Sequence, residues 1–173
     1  IEGESFDASR MIDNIMDSDD ESSTIFENLN SKINIRIKKT YIDEVNYINN
    51  LYGDLGFNNN KMHSLKLEST FPNKKKINLS IKTLNNSETI TKLSSAYPKP
   101  LIKRYDFIKG FEEGYLDFYS SKKGDVTNSV LIIDNFKIKE VPVFAKLLSL
   151  ASLQGIADLL TGEGIRFTDF EMN

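Results

Sequence analysis

A mainly β (α+β) fold is what this sequence predicts: a long, twisted antiparallel sheet, one apolar helix over about 142–161, and a short N-terminal helix. Three observations carry the prediction. Runs of apolar–polar alternation recur along the chain with turn residues between them, the pattern of strands buried on one face only. Helical spacing is confined to a few short segments. The 173 residues are 39% hydrophobic and 27% charged, a globular profile that one domain spanning 1–173 accommodates with a core of its own.

The elements follow in order. "DASRMIDNIMD" offers Asp7 as an N-cap and then Met11, Ile12, Ile15 and Met16 at helical spacing, so it reads as a short amphipathic helix. "DSDDESS" after it is an acidic loop. "KINIRIKK" sets Ile33, Ile35 and Ile37 against Asn34, Arg36 and Lys38. "KMHSLKLEST" repeats the pattern with Leu65 and Leu67, and "KINLSIKTL" with Ile77, Leu79 and Ile81. Between these two runs, "FPNKKK" carries the residues of a turn. "YPKPLIKRYDF" holds two prolines and predicts an irregular turn or one helical turn from Pro100. "GYLDFYSS" places Leu116 and Phe118 on one side and Asp117 and Tyr119 on the other, and "VTNSVLIIDNFKIKE" is a long strand whose centre is apolar on both faces. The chain ends in a further strand, "GIRFTDFEMN", with Ile165, Phe167 and Asp169 facing away from Arg166, Thr168 and Phe170.

The stretch "VPVFAKLLSLASLQGIADLLTGEGIRF" is the most apolar in the chain. Pro142 suits a helix start and the glycines of "TGEG" a stop. A helix of about 18 residues is roughly 27 Å long, close to a bilayer's hydrocarbon thickness. Lys146, Gln154 and Asp158 argue against a span, because each charge near the bilayer centre costs on the order of 3 kcal/mol. A helix buried along most of its circumference by a sheet is the better reading.

Composition excludes several kinds of chemistry. The absence of cysteine removes disulfides, thiolate metal sites and cysteine catalysis, and leaves both cytosol and periplasm open. A net charge of −3 and an isoelectric point near 5.3 disfavour nucleic acid as a partner. The single histidine, His63, lacks a second histidine for a metal site or a triad. "DSDDESS" lacks the central glycine and distal glutamate of a calcium loop. Glu112 and Glu113 are neighbours on a strand and point to opposite faces, so they do not form a catalytic pair. "NKKK" reads as a basic turn, and "GEG" follows a helix where a phosphate loop would precede one. The expectation is a protein without metal, cofactor or enzymatic activity. The pattern alone allows either an ordinary core or an apolar trough, and it favours the core.

The stretch Ile133–Glu171 resembles the C-terminal signature of the AsmA-like proteins of the Gram-negative envelope. Asn135, Phe136, Pro142, Leu147, Leu148, Ser152, Leu153, Gly155, Ile156, Leu160, Gly162, Gly164, Ile165 and Phe167 match it in order. Upstream, "IEGESFDASRMI" and "FIKGFEEGYLDF" resemble it more loosely, the second with Phe111, Glu112 and Glu113 where the family usually has a glycine pair. The resemblance implies that the chain is the C-terminal part of a larger periplasmic protein, attached to the inner membrane through a region outside it. The sheet would then roll into an apolar groove that passes phospholipid acyl chains and contributes to outer-membrane biogenesis. The groove residues expected are Ile33, Ile35, Ile37, Leu65, Leu67, Ile77, Leu79, Ile81, Leu116 and Phe118. Phe144, Leu147, Leu148, Leu150, Leu153, Ile156 and Leu160 would form the capping helix. The alternative is a structural or assembly module whose groove is filled by its own helix and which docks an envelope protein.

Overall fold

The structure, a computed structural model, describes residues 1–9, 30–59, 61–84, 87–104, 109–139 and 164–172. These form one nine-stranded sheet in which spatial order follows chain order. The strands are β1 (Glu2–Asp7), β2 (Ser31–Tyr41), β3 (Tyr47–Asn58), β4 (Lys61–Thr70), β5 (Lys76–Leu84), β6 (Glu88–Ser95), β7 (Phe111–Lys123), β8 (Val126–Ile138) and β9 (Ile165–Met172). One helical turn, α1 (Lys99–Arg104), lies between β6 and β7, starting one residue before Pro100. Most of the sheet is the predicted antiparallel meander, but β1 runs parallel to β2, so the sheet is mixed. Sequence periodicity predicts no strand over Glu2–Asp7, where every residue is exposed and no apolar face marks one. The predicted helices over 7–17 and 142–161 lie almost wholly outside the described residues. Within them, Asp7 accepts hydrogen bonds from the Ser9 N–H at 2.9 Å and the Ser9 hydroxyl at 2.6 Å, as a capping carboxylate does.

Local chemistry makes the hairpins. In the β2–β3 turn the Asp43 carboxylate accepts from the Val45 N–H at 2.8 Å and the Asn46 N–H at 2.6 Å, an Asx-type closure. In the β4–β5 turn the Lys74 N–H donates to the Phe71 carbonyl at 2.8 Å, with Lys74 at φ 64°; this is a three-residue loop closed by a left-handed residue.

Two apolar clusters anchor the sheet. One joins Ile102 of α1 to Phe111, Leu116, Ile133 and Phe136, with Phe167 and Phe170 packed against it. The other joins Ile42, Ile48 and Phe71 beneath Tyr97. In the first cluster, Phe111 and Leu116 are five positions apart, and Ile133 and Phe136 three, so strict alternation would put each pair on opposite faces. Positive φ at Glu113 (64°), Gly114 (85°) and Asn135 (51°) interrupts that alternation. Phe136 therefore stacks between Phe111 and Phe167 at centroid distances of 5.4 and 5.1 Å. This corrects the expected separation of Phe167 from Phe170: both pack on one cluster, opposite Phe136 and Ile133 respectively.

Ion pairs tie the same end together. Glu112 meets Lys99 at 3.3 Å and Lys139 at 3.0 Å, while Glu113 meets Lys137 at 3.1 Å and Arg166 at 3.4 Å. The two carboxylates serve separate ion pairs.

Candidate functional site

Cross-strand partners share a sheet face, so the pairing register decides which predicted groove residues lie together. One row runs Ile35, Gly53, Leu67, Leu79, Leu93, Phe118, Leu131 and Met172 across β2 to β9. A second runs Ile33, Leu55, Leu65 and Ile81, then becomes polar at Thr91, Ser120 and Ser129. On the other side of the first row, Ile37 pairs with Leu51, and the line Ser69, Ile77, Ser95, Leu116 and Ile133 crosses β4 to β8. All ten predicted residues therefore lie on one face.

That face differs along its width. Leu116 is 4% exposed and belongs to the closed cluster under Ile102, and Ile37 is 8% exposed. Ile33, Ile35, Leu65, Leu67, Ile77, Leu79, Ile81 and Phe118 are half-buried. Seven inter-strand spacings of about 4.8 Å give β2 to β9 a width of about 34 Å. Sequence reading missed Leu51, Leu55, Leu93 and Leu131, which extend the rows through strands whose alternation is broken or mixed. Phe144, Leu147, Leu148, Leu150, Leu153, Ile156 and Leu160 lie outside the described residues.

The opposite face is polar: Arg36, Tyr52, Glu68, Asn78, Ser94, Asp117, Ile132 and Glu171 form one of its rows. Two depressions lie on this side. One, of about 430 Å³, is lined chiefly by Asn78, Ser80, Lys92, Asp117, Tyr119 and Ile132. The other, of about 700 Å³, is lined by Glu2, Glu4, Arg36, Lys38 and Tyr52 among others. Partial burial pushes the Asp117 carboxyl above its ordinary value, and the nearby Asp134 carboxylate adds to the shift. Lys92 lies over the Tyr119 ring at 5.7 Å and Arg36 over Tyr52 at 5.7 Å, while Lys38 pairs with Glu4 at 2.7 Å.

His63 is exposed on β4 where the register with β3 shifts, and its imidazole lies over Gly56. Among the described residues no group of three or more His, Asp or Glu side chains could hold a metal ion, and no helix is long and apolar enough to cross a membrane. The features that distinguish this sheet are thus its two unlike faces, one rich in aliphatic rows and one rich in charged and aromatic side chains. Comparison with known proteins finds no matching family, no matching curated protein and no matching solved structure.

Proposed function

We propose that the apolar face is a lying surface for lipid acyl chains, and that the protein is a non-enzymatic lipid-carrying part of a larger envelope protein of the AsmA-like kind. In that reading it works in the periplasm, attached to the inner membrane through a region outside this chain, and contributes to outer-membrane biogenesis. One observation supports it most: aliphatic side chains from successive strands align in rows on one face, interrupted at Gly53, Ser69 and Ser95, while most of them remain half-buried. Such rows are wide enough for an acyl chain, since half of a bilayer's hydrocarbon core is only about 15 Å. Tails would bind by loss of apolar surface from water, at about 25 cal/mol per Å². No charged pocket or catalytic group is required.

A second reading is favoured by a different observation. Ile138 pairs with Ile165, so the apolar connection 140–163 leaves and re-enters the sheet beside the Ile102–Phe136 cluster. A segment tethered there at both ends could cover the apolar face itself, leaving a structural module that docks an envelope partner.

Native mass spectrometry of the purified chain separates the two. Lipid transport predicts bound phospholipid that is lost when Ile35→Asp or Leu79→Asp places a carboxylate in the central row. A lipid-free parent chain that also fails to take up fluorescent phospholipid from vesicles would reject the transport reading.

A further inference from the structure

The two ends of the strands differ in charge, one being more basic than the other. At one end lie the β2–β3 turn, the β4–β5 turn and the segment leading into α1. Residues 39–47, 71–76 and 96–104 hold seven lysine and arginine residues and two carboxylates. At the other end, residues 58–61, 82–88 and 121–126 hold four lysines and two carboxylates. The whole chain carries −3, so the basic end stands against the overall charge.

The three segments meet in space, the lysines coming chiefly from 71–76 and 96–104. Val45, Tyr47, Pro72, Asn73, Tyr97 and Pro100 line one recess of about 190 Å³ between them. Lys39 Nζ lies 4.0 Å from the centre of the Tyr47 ring and 4.7 Å from that of Tyr41, and Lys75 Nζ lies 5.9 Å from that of Tyr97. Lys74, Lys75 and Lys76 are exposed, and Lys99 is held by Glu112 at 3.3 Å. Beside Pro72 and Asn73, and next to Asp43 and Glu44 in sequence, the tip of the β2–β3 turn presents Val45, 80% exposed. Lysines, tyrosine rings and an uncovered aliphatic tip on one surface form the combination that settles at a bilayer interface: rings at headgroup depth, ammonium groups on phosphates and the aliphatic group below.

We propose that this end of the sheet docks on an anionic phospholipid surface. Val45 enters the interface, while Lys74, Lys75 and Lys76 meet the headgroup phosphates. A nucleic acid would also satisfy the lysines, but an aliphatic tip has a place in a bilayer and none against a phosphodiester chain. The proposal stands apart from the acyl-chain reading, because Ile35→Asp and Leu79→Asp should leave vesicle docking unchanged even where they abolish lipid uptake.

The test is flotation of the full chain with phosphatidylcholine vesicles, with and without phosphatidylglycerol, at low and high salt, beside a gel shift with an oligonucleotide. Binding should require phosphatidylglycerol and weaken with salt. K74G/K75S/K76S, which keeps the left-handed turn position favourable, should lower the partition coefficient on the order of fivefold per lysine. The matched change at the other end, K61S/K122S/K123S, should have no effect. V45S, at an exposed tip that the fold does not use, should also weaken binding. Absence of vesicle binding, equal binding to neutral vesicles, equal loss from both ends, or preference for the oligonucleotide would overturn the proposal.

Discussion

Single residues decide how the aromatic end of the sheet closes. Gly164 sits at φ +88°, and a Cβ there would lie 2.6 Å from the Ile138 carbonyl oxygen and 2.9 Å from its carbon. Both atoms belong to the backbone of β8, so no side-chain rotation relieves the contact. Gly164→Ala should cost about 1–3 kcal/mol, the usual range for a strained left-handed position with a steric conflict. Urea unfolding measures this, and an unchanged midpoint would show that β9 does not depend on that approach. The sequence marked Gly164 as a helix stop, on the strength of its place after an apolar run. The closeness of the two backbones could not be read there, because it is a property of the β8–β9 pairing.

At the scale of elements, ion pairs join α1, β7, β8 and β9. Glu112 lies below its ordinary pKa of 4.5 because Lys139 and then Lys99 hydrogen-bond its charged form; Glu113 is lowered chiefly by Lys137, with Arg166 adding to it. A carboxylate depressed in the folded state contributes stability above its unfolded pKa, and that contribution is lost as the pH falls through the folded value. Melting temperature should therefore decline as the pH drops below about 4.5. In E112Q/E113Q the melting temperature should be slightly lower at neutral pH and the acid limb flatter. The effect is modest, since the Glu113 side chain is 48% exposed and exposed pairs contribute little. A variant with the parent's acid slope would mean the pairs do not hold these elements. Strands β2, β4, β5, β7 and β9 were legible from their alternation, and β8 from its apolar centre. In β3, Asn50 at φ 54° and two glycines break it. In β6, Thr91 and Ser95 share the apolar face with Leu93, so "ETITKLSS" shows no apolar period.

Across the whole molecule, the open order β1 to β9 leaves two edges, and they are unequal. Every residue of β1 is exposed. It is held on one side by a parallel ladder and by two exposed ion pairs, Glu2–Arg36 at 3.8 Å and Glu4–Lys38 at 2.7 Å. By contrast, β9 lays Phe167 and Phe170 against the aromatic cluster. Native-state hydrogen exchange should find β1 least protected among the strands and β7–β8 most, because opening β1 exposes almost no apolar surface. Equal protection at both edges would point to a cover on β1. A chain whose faces differ this sharply, with more lysines gathered at one end, has directions built into it: across the sheet from aliphatic to polar, and along the strands from less to more basic.

The sequence by itself determined the material of the sheet: which residues alternate, where β4 turns into β5, and which aliphatic side chains belong to a common face within β2, β4, β5 and β7. Alternation is local, so adjacent residues are enough to reveal it. Only the tertiary structure decided that the faces of separate strands align into rows, that β1 joins in parallel, and that left-handed residues bring Phe111, Phe136 and Phe167 together. It also gathered lysines from three distant turns onto one end. Each of these depends on register between strands far apart in the chain, and a one-residue slip would send the same side chains to the opposite face.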